Sequence, residues 1–165
     1  MPFILSEQRH AGVGAAFQRY WEYLERSRRD FPRNAYGLAT SEWYYNGDDH
    51  RCPHDAWLEE VMLSETASGS RHEERSMALR IRLLSAHHDG HIELWYPKVL
   101  RYRLELDPAV AGHRDWRYDE SRLTEDGNVL HEIEWWSTSA ISHWVIEASD
   151  VEFAWKPQSS VAPDA

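Results

Sequence analysis

The sequence predicts an α+β fold, mainly an antiparallel sheet, with one amphipathic helix near the N-terminus. Two observations carry this. Residues 15–30 place Phe17, Tyr20, Trp21 and Leu24 at i, i+3, i+4 and i+7, one apolar helix face, with Arg19, Glu22, Arg26 and Arg29 on the other side. After Pro32 the apolar period changes from helical to two, and the alternating runs are separated by short polar or glycine-bearing turns, a pattern of hairpin-linked strands.

Taken in order, Pro32 ends the helix, because the residue before a proline is pushed out of the α region. Residues 36–45 (YGLATSEWYY) suit a strand, and Asn46-Gly47 opens a loop running through Cys52-Pro53. Residues 55–66 suit a second strand. Residues 76–84 alternate Met77, Leu79, Ile81 and Leu83 against Arg80 and Arg82. His87 to His91 form a turn, and strands follow at 92–96 and 99–106, separated by Pro97, which marks a bulge or edge because it cannot donate to a ladder. A hairpin spans 115–136 around Asp126-Gly127, and two more strands cover 142–147 and 151–155. Seven or eight strands in hairpin order make a curved sheet, a sandwich or a partly open barrel. Residues 1–156 read as one domain and 157–165 as a disordered tail.

Composition narrows the function. The chain of 165 residues is 42% hydrophobic and 13% aromatic, with nine tryptophans, which suits a globular protein rich in buried or binding aromatics. Its net charge of −10 argues against a nucleic-acid binder, which needs a basic stripe, and against an anionic membrane surface. The charge is uneven: residues 105–134 hold nine acids and three arginines. A single cysteine, Cys52, allows no disulfide within the chain and suits a reducing cytoplasm. The short apolar start lacks the basic flank of a signal peptide, and no apolar run is long enough to span a bilayer.

The hairpin concentrates the candidate chemistry. With Asp126-Gly127 as a two-residue loop, Glu120 stands opposite Ile133 and Arg122 opposite His131; a three-residue loop places Arg122 opposite Glu132 instead. In the two-residue register Glu120, Arg122 and His131 face inward. They read as a mutually paired structural cluster or, in the alternative, as a Glu120–His131 acid–base pair. Asp115, Asp119, Glu132 and Glu134 then face outward with Trp136 as an aromatic anchor, a surface suited to a basic protein partner. Histidine–acid pieces recur, and His87 and His91 are the first candidates for a metal, but no known ligand spacing is present and no cofactor is expected. The outward Arg80, Arg82, Arg101 and Arg103 are expected to pair with neighbouring acids, and Asp55 to tie down the loop before it.

Three pieces, HDAWLE at 54–59, HHDGHIELWYPKVLRYRL at 87–104 and GHRDWRYDESRLTEDGNVLHEIEW at 112–135, resemble a set of small bacterial proteins of unknown function. That resemblance implies no activity, cofactor or catalytic residue. In size, acidity and compactness the chain also resembles immunity proteins that neutralise bacterial toxins. The expected function is therefore non-enzymatic: an intracellular acidic binding protein, of the immunity type, meeting a basic partner through the Trp-bearing hairpin. A metal-assisted or acid–base hydrolase is the rival expectation, and a structural or oligomerising domain the third.

Overall fold

The structure, a computed structural model, describes residues 1–158. A helical turn at Glu7–Ala11 leads into α1, Val13–Ser27, and then α2, Arg33–Ala39. The strands are β1 Trp57–Ser68, β2 Glu74–Leu84, β3 Gly90–Leu104, β4 Asp115–Leu123, β5 Val129–Trp136, β6 Ile141–Ala148 and β7 Glu152–Pro157. This is the α+β, antiparallel architecture expected, with two helices rather than one.

The predicted apolar face of α1 is real but rotated. Ala16, Tyr20 and Leu24 are buried, while Trp21 is 48% exposed. The strand expected at 36–45 is replaced by α2 and the turns after it. Pro32 precedes the first residue of α2, and the Asp150 carboxylate accepts the N–H groups of Asn34 (3.1 Å) and Ala35 (2.8 Å). These are orphan donors of a helix start, so a residue 116 positions away caps this short helix.

The seven strands form one sheet in the order β2-β1-β4-β5-β6-β3-β7, and β2 also pairs with β3, so the sheet curves round into a ring. β3 serves two neighbours on one side. Its first half pairs with β7 and its second half with β6, and Pro97 sits between the two runs. The predicted break at Pro97 is thus a change of partner within one strand, where a missing donor does least harm. Leu79, Ile81, Leu83, Ile92, Leu94, Tyr96, Ile133, Trp135, Trp144 and Ile146 are buried in the core.

The ring is weakest between β1 and β4. Among the described residues they share a single pair, Trp57 with Asp115. Helix α1 supplies what β4 lacks there. The Tyr20 hydroxyl accepts from the Ser121 N–H (2.8 Å) and donates to the Ser121 carbonyl (2.9 Å), and the Tyr23 hydroxyl accepts from the Leu123 N–H (2.7 Å). Two phenols thereby stand in for a neighbouring strand, and burial holds the Tyr20 phenol protonated.

The β4–β5 register corrects the expected one. Leu123 pairs with Val129, and the Thr124 N–H donates to the Asn128 carbonyl (2.9 Å), leaving the three residues Glu125, Asp126 and Gly127 as the loop. Gly127 takes φ +77°, the left-handed residue that a three-residue hairpin loop requires. Arg122 consequently faces Leu130, neither His131 nor Glu132, and a one-residue slip moves every side chain to the opposite face. A further irregularity between Trp116 and Tyr118 returns Trp116 to the inner side opposite Trp135. At the C-terminus Pro157 ends β7 rather than starting a tail, and residues 159–165 lie outside the described part. Among the described residues no helix is long and apolar enough to cross a membrane.

Candidate functional site

The register decides where the predicted site residues go. Asp119, expected outside, is 3% exposed in the core. Its carboxylate accepts from the Tyr44 hydroxyl (2.8 Å), the Trp116 Nε1–H (3.0 Å) and His131 Nε2 (2.9 Å). His131 Nδ1 in turn meets the Tyr96 hydroxyl at 2.6 Å. Burial, with Asp119 nearby, pushes the Tyr44 and Tyr96 phenols well above their ordinary range, so both stay protonated and donate. Tyr96 donates to Nδ1, and the Nε2–H is left for Asp119. Four elements, β3, β4, β5 and the turn at Tyr44, are tied to one carboxylate, and the side-chain polar atoms of Asp119, Tyr44, Trp116, His131 and Tyr96 are all partnered.

Glu134, also expected outside, is buried and bound by Arg9 at 3.1 Å. Glu132 is half-buried and paired with Arg122. Asp115 accepts from Trp57 Nε1 at 2.9 Å. The outer acidic face is therefore not an array of free carboxylates, because two of its acids are buried and the other two already have partners. Trp136 is exposed.

The alternative acid–base pair is separated. Glu120 and His131 project from opposite faces of the β4–β5 hairpin. Glu120 is buried against the N-terminal segment, where it accepts from the N–H groups of Phe3 (2.9 Å), Ile4 (2.6 Å) and Leu5 (3.2 Å) and pairs with Arg122 (2.9 Å). Burial raises its pKa, against the lowering effect of those backbone N–H groups and Arg122. It anchors the chain's start. The alternative metal pair is separated as well. His87 lies in the turn before β3, stacked on His50, while His91 on β3 pairs with Glu59 at 3.1 Å. Among the described residues no group of three His, Cys, Asp or Glu side chains is placed to hold a metal ion.

The structure brings different residues together. A cavity of about 330 Å³ opens between the start of α1, the turns at 44–54 and the beginning of β4. Phe17, Tyr45, Tyr118 and Val13 give it apolar walls, His54 and Arg117 polar ones, and Asp119 and Cys52 reach it from the core. Cys52 is no nucleophile there: burial pushes its thiol up to about 12, and the thiol donates to the Tyr44 carbonyl at 3.0 Å. A second depression of about 440 Å³ adjoins it, sharing Val13, Arg117 and Tyr118 and adding Arg9, His10, Trp136 and Ile141.

Arg117 stands between the two. Its guanidinium lies 5.4 Å from the centre of the Tyr118 ring and 5.8 Å from that of Trp136, while Arg9 covers Tyr118 at 4.6 Å. Its polar contacts are long: 3.4 Å to Asp55 and 3.4 Å to His54 Nε2. His54 is fixed in that orientation because its Nδ1 donates to the Arg117 carbonyl at 2.6 Å. Arg9, by contrast, is committed to Glu134. The result is one exposed, loosely held cation on two aromatic faces beside an apolar cavity.

Sequence reasoning missed Arg117 and Tyr118 because strict alternation puts adjacent strand residues on opposite faces, and only the irregularity after Trp116 brings both to the groove. His54 meets both its neighbour Asp55, at 3.6 Å, and the Arg117 carbonyl 63 residues away, a contact that sequence spacing does not show. Family models, curated proteins and solved structures were all compared with the chain, and none of them matches it.

Proposed function

We propose that this protein is a non-catalytic binding protein that receives its partner in the groove between α1 and the β4–β5 hairpin. The observation that carries this reading is Arg117, 38% exposed at its side chain, laid on Tyr118 and Trp136 at the mouth of an apolar cavity. Arg117 spends only Nη1 on its long contacts to Asp55 and His54, so a carboxylate can reach the rest of its fork, and the adjoining cavity takes an apolar group. The favoured ligand is thus a segment that carries an acidic side chain next to an aromatic or aliphatic one.

This changes the kind of partner inferred from the acids of the hairpin. The basic partner rested on free acids around Trp136, and there Asp115 is tied to Trp57 while the charge near the Trp136 ring is the Arg117 guanidinium. An inhibitor of the immunity type would be one protein of this description, with its target supplying the acid. The hydrolase reading gains nothing from the groove, since His131 and Tyr96 are fully buried behind Asp119.

The test uses the fluorescence of the tryptophans. An end-blocked Phe-Glu dipeptide and its Phe-Lys counterpart are titrated into the full chain and into Arg117→Ala. Saturable binding of the Glu peptide alone, weakened roughly tenfold to a hundredfold by the substitution, is expected for loss of a charge-assisted contact worth about 1.5–3 kcal/mol. Equal binding of both peptides, or indifference to the loss of Arg117, would count against the proposal.

A further inference from the structure

Among the described residues, the free edges of β4, β7 and β1 are treated very differently. The edge of β4 is covered by the hydroxyls of Tyr20 and Tyr23. The outer edge of β7 is only six residues long, ends in Lys156 and Pro157 and packs against α2. Short length, lysine and proline are devices that discourage further pairing. β1 has none of them. It runs for twelve residues, pairs with β2 on one side, and on the other meets β4 only at Trp57 among the described residues.

The side chains of β1 do not protect that edge either. Val61, Met62 and Leu63 form an apolar block, 37%, 43% and 40% exposed. The acids that would keep a second strand away are each neutralised within the molecule: Glu59 by Arg82 (3.4 Å), with the His91 ring also in contact at 3.1 Å, Glu60 by Arg80 (2.8 Å), Glu65 by Arg75 (2.8 Å). A chain of net charge −10 ought to repel its own copies, and this strip is where that repulsion is cancelled.

We infer that β1 is a self-association edge, on which the β1 strand of a second copy of this chain pairs antiparallel about a two-fold axis at Met62. The strand is self-complementary in that arrangement. Val61 faces Leu63 of the second copy, Met62 faces its own counterpart, and Glu60 faces Ser64, so the apolar block meets itself and no bare charge enters it. Glu59 comes opposite Glu65, each already accompanied by its own arginine. An isologous contact of this kind closes after two copies, which is why an exposed edge gives a dimer and not a fibre. Two seven-stranded sheets become one continuous sheet. The groove at Arg117 takes no part in the pairing, so the inference stands independently of the proposed ligand.

Sizing with light scattering over a roughly hundredfold range of concentration is the first measurement, because a dimer must follow mass action. Twice the monomer mass is expected at the high end. The double change Val61→Lys and Leu63→Lys sets like charges across the axis and is expected to give a folded monomer. Met62→Cys is expected to cross-link on oxidation, since residues directly opposite in an antiparallel pair lie about 4.5–5.5 Å apart at Cα, within disulfide reach. Buried Cys52 does not compete. A monomer at every concentration, a folded lysine variant that stays dimeric, or a dimer in which Met62→Cys fails to cross-link overturns the inference. Should the lysine variant not fold, the Met62→Cys cross-link decides.

Discussion

At the scale of the residue, Asp119 organises the core and Arg117 remains available at the surface. The two are two positions apart on β4, and the irregularity between Trp116 and Tyr118 gives them different surroundings. Removing Asp119 and trimming its network should therefore differ sharply. Asp119→Ala leaves the His131 Nε2–H, the Tyr44 hydroxyl and the Trp116 N–H without an acceptor in the core, each costing about 1–3 kcal/mol. The sum is comparable to a domain's whole stability of about 5–15 kcal/mol, so the variant is expected to lose cooperative unfolding. Tyr96→Phe strands only the lone pair of His131 Nδ1 and should cost about 1–3 kcal/mol in a urea titration. Equal, mild losses for both would show that the network does not hold the core. Nothing near Asp119 in sequence marks it for burial. It has charged or polar neighbours on both sides, and a two-residue loop puts it outside because that register is one residue out.

At the scale of the element, the strands were legible and the second helix was not. β2, β6 and the first half of β3, up to Tyr96, alternate because one face meets the core and the other carries polar and charged side chains, whereas past Val99 the strand leaves the core and Leu100 and Tyr102 are exposed. α2 spans only seven residues, too few for a helical period to outweigh the alternation in YGLATSEWYY, and its cap comes from Asp150, after β6. The β3–β7 contact provides a test of packing between elements. Gly90 lies opposite Pro157, and a Cβ added there would come within 2.5 Å of the Trp155 ring and 2.8 Å of the Lys156 carbonyl. Neither can yield without moving β7, whose six residues pair, among the described residues, with β3 alone. Gly90→Ala should thus cost about 1–3 kcal/mol, the range for overpacking, and should loosen β7 first. Hydrogen exchange would show the amides of residues 152–156 losing protection while those of β5 keep theirs; uniform loss would mean that β7 is not the element that gives way.

At the scale of the whole molecule, the ring is closed by a helix where strand pairing fails, and its core carries charge that ties stability to pH. Close to neutrality the group that should report this is His113. It packs 5.0 Å from Trp135 and edge-on at 4.7 Å to Trp144, and its buried Nδ1 has no hydrogen-bond partner among the described residues. Burial lowers its pKa below the ordinary 6.5. The folded state therefore prefers the neutral ring, while the unfolded chain takes up a proton near 6.5. The stabilisation is complete above that value and is lost progressively as the pH falls from there towards the lower, folded pKa. Glu120 has the opposite sign: burial raises its pKa above 4.5, so acidification relieves a cost rather than adding one. Asp49, lowered to about 2 by its hydrogen bonds to Arg51, weakens the fold only in stronger acid, between its ordinary 3.8 and that value. His113→Phe keeps the aromatic contact with both tryptophans and removes the titration. Urea midpoints measured from about pH 7.5 down to about pH 5.5 should fall more for the natural chain than for the variant, the window being set by the ordinary histidine pKa. Parallel curves would assign the pH dependence to other groups and leave His113 as packing alone.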